Sequence, residues 1–404
     1  MSALTDPPSE SFRISMLLSD TRYRSYTFQF IALLCLIAAV AFLARNLMNN
    51  LEAAGLNISY SFLNSASGYD INQRPIAYDS QSTHLRAAIV GILNTLIVAV
   101  LACVTATFLG VAAGVLRLSN NWIVARLMAI YVEAFRNIPV LIWILIIFSI
   151  LTMSLPAPNA FRGDDATSSM LFRAFAFTNR GIYTPLPIMG PGGWLVAGVF
   201  VASLIGIWLF RKWATKKLFD EGRMIATFWP SVALFFIPAL IAFFVLGMPI
   251  TLDYPALKGF NFQGGLQIRG SLIALWLALS VYTGAFIAEN VRAGIQAVSV
   301  GQSEAAASLG LRPRRIMNLV VLPQALRVII PPLVSQYLNI TKNSSLAIAV
   351  GYMDITGTLG GITLNQTGRA IECVLLLMAF YLVISLSIST VMNLYNNAIK
   401  LRER

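Results

Sequence analysis

Glu289 and Arg292 stand three residues apart inside one apolar run, Lys342, Asn343, Ser344 and Ser345 stand together inside another, and Glu304 opens a short run of alanines. These are the residues whose types and spacing could do chemistry. A carboxylate and a guanidinium three apart share a helix face and can pair. Either they form a structural ion pair, or, with Gly284, Ala285 and Ala288 on the preceding turn leaving room for a ligand, they line a path that attracts an ammonium group. The Lys342 to Ser345 cluster covers most of a helix circumference. Its hydroxyls can bond back to their own helix, or Lys342 and the hydroxyls can meet a carboxylate. Asn94 and Thr95 offer a third polar contribution from a facing segment.

Chemistry that makes or breaks bonds has no visible seat. The chain contains no GxxxxGK[ST] phosphate loop, no HExxH pair and no GxSxG turn. The single histidine, His84, cannot form a metal site alone, and Cys35, Cys103 and Cys373 lie in apolar runs without CxxC spacing, as buried spacers. No catalytic residue, no metal ligand set and no cofactor are expected in this chain. If ATP is used, another chain hydrolyses it.

The elements that position these residues follow from composition. Of 404 residues, 57% are apolar and 11% charged, with a mean hydropathy of +0.73, where a soluble domain carries about 25% charge. A water-soluble enzyme is excluded, and lipid is the solvent for most of the chain. The excess of 29 Lys and Arg over 17 Asp and Glu, net +12, is then a matter of which loops face the cytoplasm and not of nucleic acid. An all-α integral membrane protein with eight spans is expected, at 26 to 44, 88 to 116, 128 to 155 (or from 138), 193 to 210, 228 to 248, 270 to 292, 325 to 352 and 371 to 397. Ionisable groups inside such spans cost about 2.5 to 3.5 kcal/mol each, so each needs a partner or a function.

With both termini in the cytoplasm, sixteen basic residues fall inside: Arg13, Arg22, Arg24, Arg117, Arg126, Arg211, Lys212, Lys216, Lys217, Arg223, Arg312, Arg314, Arg315, Lys400, Arg402 and Arg404. Nine fall outside, which favours that orientation. The clearest inside marker is the loop Arg211 to Arg223. The outer loops 46 to 86 and 156 to 191 have the composition of small caps. Four segments follow: an anchor and loop at 1–87, a first core part at 88–155, an insertion with two extra helices at 156–265, and a second core part at 266–404. Pro139 starts or kinks its helix, and Pro331 and Pro332 are expected to break theirs.

Residues 303–323 carry the most specific signal. Ser303 can cap a short helix, Glu304 suits its N-terminal dipole, three alanines propagate it, and Gly310 can end it in a left-handed turn. Followed by Arg312, Arg314 and Arg315, this makes a compact knob for a soluble partner. Glu304, Ala305, Ala306, Gly310, Leu322 and Pro323 match the EAA signature of ABC importer permeases, with Val320 for the usual Ile. The blocks Asn94-Thr95-Leu96, Phe135 to Pro139, Tyr282 to Gly294 and Thr341 to Ala347 resemble the polar amino-acid permease family. With the insertion and Leu364 to Gly368, the chain is similar to the Q-type permeases of general L-amino-acid transporters.

The resemblance implies a type I ABC importer permease fold. It also implies a coupling helix at Glu304 to Gly310, with Arg312, that docks on a dimer of ATP-binding subunits holding ATP and Mg. A second related permease, in a heterodimer, a periplasmic amino-acid-binding protein and an L-amino-acid substrate are the other implied partners. The alternative reading, an ion-gradient-driven secondary transporter, needs paired carboxylates or unwound helices in repeated halves. Only Glu289 and Glu372 are acids within spans, and no internal repeat is evident.

Overall fold

Seven helices of the computed structural model are long and apolar enough to cross a membrane, and an eighth apolar run is bent in two, among the described residues. Those residues are 18, 21–55, 57–163, 166–223 and 225–399. Arg13, Lys400, Arg402 and Arg404, counted above as inside markers, lie outside them. The helices are α1 (Thr21–Ala53), α2 (His84–Leu116), α3 (Trp122–Asn137), α4 (Val140–Ser154), α5 (Gly193–Glu221), α6 (Phe228–Val245), α7 (Gly270–Gln296), α8 (Val300–Ser308), α9 (Pro313–Ile316), α10 (Leu322–Asn343), α11 (Leu364–Thr367) and α12 (Ala370–Ile399). Residues up to Ser61, with α1, form one unit, and the chain from Phe62 onward forms another. Cys35, expected to be buried, is exposed on α1, whereas Cys373 is buried.

The third expected span is not one helix. α3 and α4 meet at 106°. Pro139 has no N–H to donate and forces the residue before it out of the helical region, so Ile138 sits at φ −108°, ψ 133° and α4 begins afresh at Val140. The opposite holds at Pro331 and Pro332. α10 runs through both without interruption to Asn343, because proline's fixed φ is itself helical and only the hydrogen bonds to the preceding turn are lost. The irregularity stands earlier, in a π-helical stretch at Met317–Val321 between α9 and α10.

α2 and α7 form the centre. Ala102 and Ala106 of α2 pack with Leu275, Leu279 and Ile287 of α7, with Ile144 of α4 and with Ala325 of α10, all nearly or fully buried. The approach is closer than any larger side chain would permit. A Cβ at Gly110 would stand 2.5 Å from Ile287 Cβ, and one at Gly114 would stand 2.7 Å from the Ala288 carbonyl. The small residues Gly284, Ala285 and Ala288 therefore leave no room for a ligand, contrary to expectation. A Cβ at Gly284 would meet the Tyr131 hydroxyl at 2.9 Å, and both alanines are fully buried.

The loops flanking α5 and α6 hold short antiparallel strands: β1 (Ala176–Thr178), β2 (Gly181–Thr184), β3 (Leu186–Met189), β4 (Ile250–Asp253), β5 (Ala256–Lys258), β6 (Asn261–Gln263) and β7 (Leu266–Ile268). β2 pairs with β1 and β7, β3 with β4, and β5 with β6. The two loops are thus sewn together at the start of α5 and the end of α6. Arg211, Lys212, Lys216 and Lys217, expected in a loop, extend α5 instead. Aromatic faces shelter two of them, Lys212 lying 5.2 Å from the Trp208 ring and Lys217 5.8 Å from that of Trp213.

Candidate coupling loop and polar core

α8 begins after Ser299, so Ser303 lies within the helix and caps nothing. Its end is as expected. Gly310 has φ +77°, its N–H bonds to the Ala307 carbonyl at 2.9 Å, and Leu311 N–H reaches back to Ala306 at 3.3 Å. A Cβ at Gly310 would meet nothing, so the left-handed backbone alone demands glycine there. Ala306 packs inward on Ile316 and Val321, while Glu304, Ala305 and Gly310 face outward. Leu309, beside Gly310, is 81% exposed, and Arg312, Arg314 and Arg315, which follow within six residues, are exposed as well. An exposed leucine followed by exposed guanidinium groups on a firmly seated helix can enter an apolar groove with an acidic rim. Of the other signature residues, Leu322 is exposed and Pro323 half-buried at the start of α10.

Glu289 is the hub of a charge cluster on α7. Its Oε1 accepts from Arg292 Nη2 at 2.5 Å, its Oε2 from Arg292 Nε at 3.2 Å, and Arg117 at the C-terminal end of α2 bonds the same Oε2. Arg117 also reaches Glu133 of α3 at 3.7 Å, and Arg136 lies 5.3 Å from the Phe286 ring centroid. Two guanidinium groups thus already balance this carboxylate, and three helices end on one charge network. Arg117 was read from sequence only as a loop residue.

The Lys342 to Ser345 cluster resolves differently. Ser344 Oγ donates to the Thr341 carbonyl and Ser345 Oγ to that of Lys342, both at 2.8 Å. The α-helix ends at Asn343 and tightens into a 3-10 stretch, Ser344–Val350. Ser344 is buried, Asn343 half-buried, and Lys342 exposed without a carboxylate partner among the described residues.

Asn94 and Thr95 are fully buried and bind backbone. Asn94 Nδ2 donates to the carbonyls of Gln73 and Met353, each at 2.8 Å, and its own carbonyl accepts from Tyr352 at 3.1 Å. Thr95 Oγ1 accepts from Ile355 N–H at 3.1 Å. They position the 352–355 turn against α2.

Two relatives align with the chain over nearly their whole length. The chain is 50% identical to the permease protein BztB of the glutamate/glutamine/aspartate/asparagine transport system of Rhodobacter capsulatus, over the whole of both chains. It is 42% identical to the general L-amino acid transport system permease AapQ of Rhizobium johnstonii, over 98% of this chain and 96% of that one. Residues 195–404 match the family described as the inner membrane component of binding-protein-dependent transport systems. This chain belongs to that family. It is a multi-pass membrane permease of the ABC importer class, a transport subunit and not the ATPase, of a family that carries an EAA motif. Among solved structures it is similar to an amino acid ABC transporter crystallised with histidines, at 19% identity and a TM-score of 0.45, over 78% of this chain and 95% of that one.

The permease also holds a buried acid that no motif announces. Asp354 stands between the spans, in the turn before the π-helical stretch Thr356–Thr363, and is fully buried. One carboxylate oxygen accepts from Gly357 N–H at 2.8 Å. Burial pushes its carboxyl up to about 7. At the end of that π-helical stretch, Thr363 Oγ1 bonds both Tyr69 and His84 at 3.1 Å, and burial pushes the Tyr69 hydroxyl up to about 12. No group of three or more acid, histidine or cysteine side chains suitable for a metal occurs among the described residues.

Proposed function

We propose that this permease carries L-amino acids inward, in a heterodimer with a second related permease. A periplasmic binding protein delivers the cargo, and a dimer of separate subunits that hold ATP and Mg drives the cycle. Relatives that align over the full chain and are named for glutamate, glutamine, aspartate, asparagine and general L-amino-acid transport support the cargo class. Both termini and the Arg312 to Arg315 end lie in the cytoplasm. Segments 1–87, 88–155, 156–265 and 266–404 act as anchor, first core part, insertion and second core part.

One observation carries the coupling role: Leu309 and the left-handed Gly310 project from a helix whose Ala306 is locked against Ile316 and Val321. The signature residues Glu304, Ala305, Ala306, Gly310, Leu322 and Pro323, with Arg312, form the docking knob. ATP-driven closure pulls this knob and rocks α7 and α10, which flank it in the chain. The path is lined by Lys342 and Asn343 at the end of α10 and by Ser344 and Ser345 in the 3-10 stretch that follows, and Pro331 and Pro332 provide a stretch poor in hydrogen bonds for α10 to flex. Glu289 and Arg292 clamp the cytoplasmic end of that path, while Asn94 and Thr95 hold its opposite end in shape.

The test is Glu304→Arg combined with Gly310→Val in the assembled importer, reconstituted in liposomes. Uptake and substrate-stimulated ATPase should fall to background while the chain still inserts. Normal uptake after that change would sink the coupling assignment, and uptake by the purified chain without nucleotide would establish a secondary transporter.

A further inference from the structure

A cavity of about 240 Å³ opens where five segments meet: the loop before α2, α4 at Phe148 and Thr152, the β1–β2 turn, the start of α7 and the 350–353 turn. Gln73, Asn179, Arg180, Arg269 and Tyr352 are among its lining residues. Two of these are arginines, and no acidic side chain among the described residues lines the space. Three of them each hold a buried polar atom without a hydrogen-bond partner among the described residues: Gln73 Oε1, Asn179 Oδ1 and Arg269 Nε. Buried polar atoms in native proteins are as a rule paired, with protein, water or a ligand. Gly270 and Ser271, the first residues of the 27-residue helix α7, complete the wall, and the helix has no side-chain cap. Uncapped N–H groups and the positive end of a helix dipole favour a carboxylate.

We infer that this cavity seats the zwitterionic head of a free α-amino acid, its carboxylate on Arg269, Arg180 and the start of α7, its ammonium on the amide oxygens of Gln73 and Asn179. The inference rests on the amino-acid reading above and adds a place and a set of residues to it. The charge pattern decides the chemistry. Guanidinium groups without a neighbouring acid recognise an anion, and unsatisfied amide oxygens at the same cavity recognise a cation. Asn94 is the positioning residue, because one amide group ties Gln73 and Met353, on two separate walls, to α2. Sequence gave no hint of this site. Its residues lie nearly two hundred positions apart and only β2 pairing with β7 brings Asn179 and Arg180 next to Arg269.

The experiment uses the assembled importer in detergent without its binding protein, with tritiated L-glutamine as probe. Saturable binding is expected, displaced by L-asparagine and not by 4-aminobutanamide, which lacks the α-carboxylate. Arg269→Gln, which removes the guanidinium under the cargo's carboxylate, should weaken binding at least tenfold, as should Asn179→Leu, a near-isosteric change that removes the amide oxygen facing the ammonium. Both variants should still assemble, read as a monodisperse importer peak in size exclusion. Wild-type affinity in the assembled Arg269→Gln or Asn179→Leu importer, or equal displacement by 4-aminobutanamide, would overturn the site. An intact importer that accumulates no L-amino acid at all would instead overturn the cargo reading.

Discussion

α2 and α7 meet through glycines, whereas α5 and α6 meet through rings. In the first pair Gly110, Gly114 and Gly284 bring backbones so close that a single methyl would collide. In the second, Phe200 and Phe235 interlock edge to face at 5.1 Å, and Gly198 and Gly206 look into open space. Lipid tails are as apolar as the side chains they touch, so helices associate there by fit and not by expulsion of water. The close-packed pair has one solution and tolerates no added volume. The aromatic pair has spare volume around it, and its geometry is held at one end by the strands that sew the flanking loops together.

The largest effect that would sharpen this contrast is Gly110→Val. Overpacking in a fitted core costs about 1 to 3 kcal/mol and here moves backbone, so the folded, assembled fraction should drop severely. Fluorescence-detected size exclusion reads it, and a monodisperse peak at wild-type yield would contradict the packing. Next, Glu289→Gln strips the countercharge from Arg117 and Arg292. Hydrogen bonds between charged groups contribute about 1.5 to 3 kcal/mol, so thermal stability should fall within that range. Full stability with lost uptake would turn Glu289 from a clamp into a cargo contact.

A smaller effect is a matter of pH. The Asp354 carboxyl is raised to about 7 by burial, far above its ordinary 3.8, so its protonated form is the one that folding favours. Its contribution is complete below about pH 4 and is lost as pH rises through about 7. The thermal midpoint of the assembled importer should decline over that window, and Asp354→Asn, which keeps the acceptor for Gly357, should flatten the decline. An unchanged slope in the variant would assign the pH dependence to other groups. Smallest of all is Gly206→Ala, where the added methyl meets nothing. Yield and midpoint should stay at or slightly above wild type, and a loss comparable to that of Gly110→Val would abolish the distinction between the two helix pairs.

The spans were legible because an apolar run of sufficient length has one fate in lipid, and the loop at Glu304 was legible because helix, turn and charges follow each other locally. What stayed hidden depends on partners distant in the chain. Gly110 and Gly114, four apart, carry a readable signal for close helix approach, but their need becomes visible only against Ile287 and Ala288. Arg117 looks like a topology marker until α7 brings Glu289 to it. Asn94 and Thr95 were read as polar contributors to a path, and the turn they hold lies about 260 residues away. Pro139 and Pro331 show the limit from the other side: the same residue type broke one helix and left another whole.

The 106° elbow at Ile138–Pro139 has a consequence for the surrounding bilayer. Once α3 turns away, the span is left to α4 alone, whose fifteen residues measure about 22 Å along the axis. A hydrocarbon layer is about 30 Å thick. Wherever α4 alone crosses, a bilayer of that thickness has to thin by several ångströms or let headgroups bend inward toward the elbow. The expected outcome is that short-chain bilayers relieve this mismatch and long-chain ones deepen it, which uptake measured across acyl chain lengths checks.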